Sequence, residues 1–194
     1  MFRIGFVGVP GTGKTSTARM LSACCRRNEK FERVELIAEY TRRYIAKYGS
    51  IDSVVDQYKI MEKQIEWESA PPHKETDLII TDSPVHLGFL YVMEYDRSTQ
   101  KGTMYMNDIF KRLNKVNYPT RYDIIFHLPP ILKPVEDGVR KDLHFDEKWR
   151  VEADTKIKFI FEIFPPKQFI TITSSDIMDR VDECLGHMEK IVQK

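Results

Sequence analysis

The stretch from Gly8 to Thr15, GVPGTGKT, constrains this chain more than any other feature. It fits the spacing G-x-x-x-x-G-K-[ST], with Gly8, Gly13, Lys14 and Thr15 at the fixed positions. A short apolar run, Ile4-Gly5-Phe6-Val7, precedes it and suits a buried parallel strand. Thr17, Ala18, Met20, Leu21 and Ala23 follow at helix-compatible spacing. A strand, a glycine-rich turn and a helix in that order make a phosphate-binding loop. Glycine lets the backbone wrap tightly and aim successive N–H groups inward, and the helix N-terminus adds partial positive charge. In such a loop Lys14 reaches the β- and γ-phosphates, and the Thr15 hydroxyl takes a position on Mg²⁺. Gly11, Thr12 and Ser16 complete the cradle. The expected ligands are ATP and Mg²⁺.

The rest of the chain alternates apolar runs with helical patterns. Val34-Glu35-Leu36-Ile37-Ala38 reads as a second strand, followed by a helical segment through Arg42, Tyr44 and Ile45. Val54, Tyr58, Met61 and Ile65 define one face of a long helix that Pro71-Pro72 ends. Leu78-Ile79-Ile80-Thr81 reads as a third strand, and residues 85–95 as a helix. Residues 96–119 are polar and poorly patterned, apart from a short helix around Ile109, Phe110 and Leu113. A fourth strand spans residues 123–128 and ends at Pro129-Pro130. Residues 145–161 read as a helix, and Phe169-Ile170-Thr171-Ile172 as a fifth strand. Ser174 or Ser175 is expected to cap a last helix carrying Ile177, Val181, Leu185, Met188 and Val192. Strands separated by helices imply crossovers and a parallel sheet. The expected fold is a three-layer α/β/α sandwich with a five-stranded parallel sheet, one domain over residues 1–194.

Composition removes several function classes. Thirty Lys and Arg against 29 Asp and Glu leave a net charge of +1, so no global field favours nucleic acid or an anionic membrane. No apolar run reaches transmembrane length. The first strand begins close to Met1, which predicts no leader peptide and a soluble, cytoplasmic protein. Cys24, Cys25 and Cys184 are too few and scattered for a disulfide framework or a zinc site. The histidines form no metal set, and Trp67 and Trp149 are expected to pack rather than stack on a ligand.

In a doubly wound sheet the ligand lies at the carboxyl ends of the strands. There the second strand gives Glu39-Tyr40-Thr41-Arg42-Arg43 and the third gives Asp82-Ser83-Pro84. Phosphoryl transfer uses one acid near Mg²⁺ and another that takes the acceptor's proton. Asp82 suits the first role and Glu39 the second. A helix cap is the competing role for each. Arg42 and Arg43 are candidates for an anionic acceptor, Arg42 ahead because it lies nearly one turn after Glu39. After the fourth strand, a lid-like segment at about 130–142 offers Arg140, then Lys141, to the developing charge. Thr173-Ser174-Ser175 lies where a nucleotide base would rest, with Thr173 as a donor-site residue.

The segments GVPGTGKT, AEYTRRYI, LIITDSP and YDIIFHLPP followed by EDGVRKD resemble the ribosylnicotinamide kinase domain of bacterial NAD-biosynthesis proteins and the wider group of AAA-type small kinases. The resemblance spans most of the chain. It places Glu39, Tyr40 and Arg42 after strand two, Asp82 after strand three, and Asp137, Gly138 and Arg140 in the lid. It implies a P-loop kinase acting on a nucleoside, a nucleotide or a related small molecule.

The polar insert at 96–119 is longer than that resemblance implies. With Arg97, Lys101, Lys111, Arg112, Lys115 and Arg121 it leaves nucleic acid open as an acceptor, a modified base in DNA or a polynucleotide end. A regulatory GTPase or a motor-type ATPase is disfavoured. The nearest text to a base-reading N-K-x-D is Asn114-Lys115-Val116-Asn117, which lacks the aspartate and follows no strand.

Overall fold

A computed structural model describes residues 1–27, 30–70, 73–95, 100–115, 121–132 and 146–192. The described elements are β1 (Phe2–Val7), α1 (Lys14–Arg27), β2 (Val34–Ile37), α2 (Tyr40–Tyr48), α3 (Val54–Ser69), β3 (Leu78–Asp82), α4 (Leu87–Tyr95), α5 (Gln100–Lys115), β4 (Ile124–His127), α6 (Glu147–Ile163), β5 (Phe169–Thr171) and α7 (Ile177–Val192). The five strands form one parallel sheet in the order β2-β3-β1-β4-β5. The α/β/α sandwich expected from the sequence is therefore the observed fold.

Alternation along the strands divides the core. Ile4, Phe6, Leu78, Ile80, Ile124 and Phe126 pack on one side of the sheet with Ala18, Leu21 and Cys25 of α1 and Val181, Cys184 and Met188 of α7. Val7 and Ile125 point the other way, into a cluster with Met61, Leu90, Ile109, Leu113, Ile157 and Phe161 from α3 to α6. Both faces of the sheet are covered, which is why its strands are almost wholly apolar. Arg3 and Gly5 are the exceptions in β1, and Gly5 is one for want of space. A Cβ there would come within 2.6 Å of Pro84 Cγ and 2.8 Å of Ile125 Cδ1, so the missing side chain lets Pro84 close over the strand.

Three expectations are corrected. The polar insert contains a full helix, α5, rather than a short one. Its Ile109 and Leu113 are buried, Tyr105 stacks on Tyr58 with centroids 4.5 Å apart, and Tyr58 donates to Asp108 at 2.6 Å. Two buried residues a turn apart suffice to anchor an otherwise charged helix, and a window scan for polarity misses them. The buried face of α3 is Val54, Gln57, Ile60, Met61, Gln64 and Glu68, rotated from the expected Val54-Tyr58-Met61-Ile65 stripe. Helix α7 is capped by Asp176, which accepts from Met178 N at 2.7 Å, and not by Ser174 or Ser175. Ser174 instead donates its hydroxyl to Glu183 at 3.0 Å.

Candidate active site

The strand order assembles the site. β1 lies between β3 and β4, with Phe6 in register with Asp82 and Val7 with His127. β2 lies on the far side of β3, with Ile37 in register with Thr81. The carboxyl ends of β2, β3 and β1 are thus consecutive along one edge. They deliver Glu39, Asp82 and the Gly8–Thr15 loop side by side.

The loop is held from within. Thr12 Oγ1 donates to Val9 O at 2.9 Å and Lys14 Nζ donates to the same carbonyl at 3.0 Å. Gly13 adopts φ 87°, in the left-handed region that favours glycine. A Cβ at Gly8 would overlap the Leu128 carbonyl oxygen, so the loop and the end of β4 can touch only because that side chain is absent. Thr17 N donates to Gly13 O at 2.9 Å, which starts the ladder of α1 directly at the loop. Ser16 is exposed in the first turn, and Thr15 is half-buried.

Asp82 is 3% exposed, and the Thr15 hydroxyl stands near its carboxylate. Burial raises its carboxyl above the usual range, and the Glu39 charge adds to the rise; Thr15, Lys14 and Arg42 pull the other way. Those causes define a cluster in which Lys14, Thr15, Glu39, Arg42 and Asp82 act on one another. Ser83, next in the chain, has φ 62°, a conformation that non-glycine residues seldom adopt. It turns the chain sharply after the acid while its N–H donates to Phe6 O at 3.2 Å.

Glu39 stands at the N-cap position of α2, yet its side chain makes no capping bond. Its carboxylate lies 3.5 Å from Arg42 Nε instead. Arg43 does not join them. Its guanidinium carbon lies 4.8 Å over the Trp67 ring, which also meets Tyr40 edge-on at 5.0 Å. Two adjacent helical residues point about 100° apart, so one arginine faces the acid and the other the indole. Trp67 thus packs between Tyr40 and Arg43.

A cleft of about 390 Å³, partly open to solvent, runs from Lys14 and Glu39 between α3 and the start of α4. Ile60, Met61, Val85, Leu87 and Tyr91 give it apolar walls, and Gln57 and Gln64 give it polar points. Gln64 is fully engaged: its Oε1 accepts Tyr40 N at 2.9 Å and its Nε2 donates to Glu68 Oε1 at 3.0 Å. Glu68, 1% exposed, also accepts Val85 N at 2.8 Å and the Tyr122 hydroxyl at 2.8 Å. Burial raises its carboxyl above the usual range, against the pull of those donors. Gln57 Oε1 is sealed from solvent and has no hydrogen-bond partner among the described residues. The sequence reading missed Gln57, Gln64 and Glu68. Their signal was three polar residues at i, i+7 and i+11 within what proves to be the buried stripe of α3.

Of the remaining candidates, Thr173 is exposed in the loop after β5. Arg140, Lys141, Asp137 and Gly138 lie outside the described residues, as does the lid segment from residue 133 onward. Among the basic residues of the insert, Arg112 is committed to acids, 3.0 Å from Glu62 and 3.2 Å from Asp108. Arg121 donates to Ser69 Oγ at 3.3 Å. Among the described residues no helix is long and apolar enough to cross a membrane, and no cluster of His, Cys, Asp and Glu forms a metal site by itself.

The fold has close counterparts among solved structures. A NadR protein in complex with NR superposes with a TM-score of 0.69 at 19% identity, over 90% of this chain and 46% of that one. The chain thus spans about half the length of the NadR protein it matches. A thymidylate kinase from Ehrlichia chaffeensis gives a TM-score of 0.63 at 16% identity, over 100% of this chain and 98% of the other. A deoxyadenosine kinase from M. mycoides gives 0.60 at 15%, over 97% and 100%. What they share with this chain is the fold, a parallel five-stranded sheet between helices. No curated protein matches the sequence. The sequence profile of the family described as AAA domain matches residues 3–180, nearly the whole chain, with the loop, Glu39 and Asp82 inside the match; the protein is a member of that AAA domain family.

Proposed function

We propose that this chain is a kinase that moves the γ-phosphate of ATP to a hydroxyl of a nucleoside, a nucleotide or a related small molecule, with residues 1–194 acting as one catalytic domain. One observation carries the reading. The phosphate loop, two carboxylates and an arginine meet at one end of a partly apolar cleft of about 390 Å³. The nucleoside and nucleotide kinases that share the fold support the reading.

In this reading the Gly8–Thr15 backbone and Lys14 hold the triphosphate. The Thr15 hydroxyl and the Asp82 carboxylate are neighbours, both oxygen ligands of the kind Mg²⁺ prefers, and so fit that ion. An ion held there would supply charge neutralisation on the phosphate oxygens. Glu39 takes the proton of the acceptor hydroxyl as that oxygen bonds to the γ-phosphorus and the bond to the β–γ bridging oxygen breaks, leaving ADP. Arg42 orients Glu39 and the acceptor. Arg140 serves the developing charge from the lid. Thr173 and its neighbours face the base of ATP. The apolar walls from Ile60 to Tyr91 take the acceptor's ring, with the Gln57 amide as its polar contact.

A transfer assay with γ-labelled ATP tests this. One reaction holds nucleosides, nucleoside monophosphates and nicotinamide riboside; another holds DNA and RNA with ordinary and hydroxymethylated bases. Label in a small molecule is expected. Label in polymer alone would replace the small acceptor with nucleic acid. Free phosphate alone in both would remove the kinase reading and leave an NTPase.

A further inference from the structure

Arg180 is a buried cation held behind the phosphate loop. It lies in the first turn of α7 and is 1% exposed. Its Nη1 donates to Thr12 O at 2.7 Å and its Nε donates to Ser174 O at 2.6 Å. Both acceptors are backbone carbonyls from distant parts of the chain. Asp176 and Glu183 act on its charge, but neither forms an ion pair with it among the described residues. Its Nη2 is sealed from solvent with no hydrogen-bond partner among those residues.

Stability is a poor reason for this arrangement. A buried charge without a carboxylate is costly, and a cation in the first turn of a helix opposes the helix dipole. The contacts suggest what it serves. The carbonyl and the N–H of one trans peptide point in opposite directions. The guanidinium on the Thr12 carbonyl therefore fixes the Gly13 N–H pointing away from it. No protein group accepts that N–H among the described residues. A charge-assisted bond at the carbonyl also polarises the peptide and strengthens the donor at its other end. Gly13 makes the approach possible, since a Cβ there would stand 2.8 Å from Arg180 Nη1.

We propose that Arg180 is a positioning residue for the phosphates of the donor nucleotide, acting through the Thr12–Gly13 peptide while it ties the loop after β5 to the phosphate loop. The proposal rests on the reading of Gly8–Thr15 as a phosphate site. It does not depend on the transfer step.

Calorimetry with Mg²⁺ on the full chain tests it, using ADP, adenosine and inorganic tripolyphosphate as probes. Arg180→Gln is expected to weaken ADP and tripolyphosphate about tenfold or more, as losing a charged hydrogen bond implies. Adenosine should change less than about threefold, because it carries no phosphate for the loop to grip. Arg180→Lys keeps the charge and one donor, and is expected to recover part of the loss. If Arg180→Gln does not fold, Arg180→Lys carries the comparison, with tripolyphosphate weakened more than adenosine. Tripolyphosphate binding unchanged in the variants overturns the proposal. Equal weakening of adenosine and tripolyphosphate also overturns it, since that marks a packing role. A wild type that binds neither ADP nor tripolyphosphate overturns the loop reading and this proposal together. Intact, Arg180-dependent tripolyphosphate binding with no transfer to any acceptor supports the proposal and removes only the kinase reading.

Discussion

The side-chain carbonyl of Gln64 accepts the backbone N–H of Tyr40 at 2.9 Å. Tyr40 follows Glu39, so this bond sets where α2 begins and where its preceding acid stands. The other end of the same amide donates to Glu68, which also takes the N–H of Val85, three residues beyond Asp82. One buried side-chain network thereby reaches both strand ends that carry an acid.

Replacing Gln64 by Leu should leave the Tyr40 N–H without its acceptor and take one of two donors from Glu68 Oε1, which keeps the Val85 N–H. The expected loss of stability is about 1–3 kcal/mol, as for a buried group left unsatisfied. Turnover should fall about tenfold through misplacement of Glu39, while the KM for ATP stays within about twofold. Steady-state kinetics beside thermal melts checks this. A melt that drops with turnover unchanged would make the network structural only.

Lys14→Ala should abolish transfer without unfolding the chain. The lysine bonds Val9 O within its own loop and adds no apolar side chain to either core cluster, so the fold is expected to survive. Circular dichroism and the transfer assay, run on the same sample, decide it. Full activity in the variant would refute the central assignment.

Asp82 and Glu39 should separate by their response to Mg²⁺ and pH. Asp82→Asn is expected to raise the Mg²⁺ needed for nucleotide binding. Glu39→Gln is expected to cut turnover about 100-fold or more, the scale of general-base catalysis, with nucleotide binding kept. Burial and then the Glu39 charge hold the Asp82 carboxyl above the usual range. As pH falls, Asp82 therefore takes its proton earlier than an ordinary aspartate. Removing the Glu39 charge lowers that pKa, so Mg²⁺-dependent nucleotide binding should survive to lower pH in Glu39→Gln. Binding measured across an acid series reads the shift, and coincident profiles would argue against the coupling.

His86 should make the fold acid-sensitive. Its ring is 1% exposed, 5.4 Å from Phe161 and 5.3 Å from Phe164, and burial pushes its pKa from 6.5 down to about 3. The unfolded chain binds a proton there below pH 6.5, and the folded chain not until about 3. The unfolded state is thus favoured as pH drops through that window, by up to about 1.4 kcal/mol per pH unit. Urea melts of His86→Phe should show a shallower dependence on pH over the same window. Equal slopes would assign the acid sensitivity to other groups.

The sequence by itself determined the sheet, the glycine-rich loop after its first strand and the two acids at strand ends. Each is written locally: apolar runs separated by helical patterns, glycines at fixed spacing, and a carboxylate where a strand stops. The tertiary structure decided which groups share a site. Only the order β2-β3-β1 brings Glu39 and Asp82 beside the loop, because non-adjacent strands become neighbours through crossovers. Only packing turned Gln57, Gln64 and Glu68 inward, since the buried face of α3 depends on what covers it. Spacing put Arg42 ahead of Arg43, but only the fold shows one at Glu39 and the other on Trp67. Arg180 stands 168 residues from the Thr12 carbonyl it holds, and no local pattern announces a bond of that range. Chemistry of residue type is read along the chain; chemistry of proximity exists only once the chain has folded.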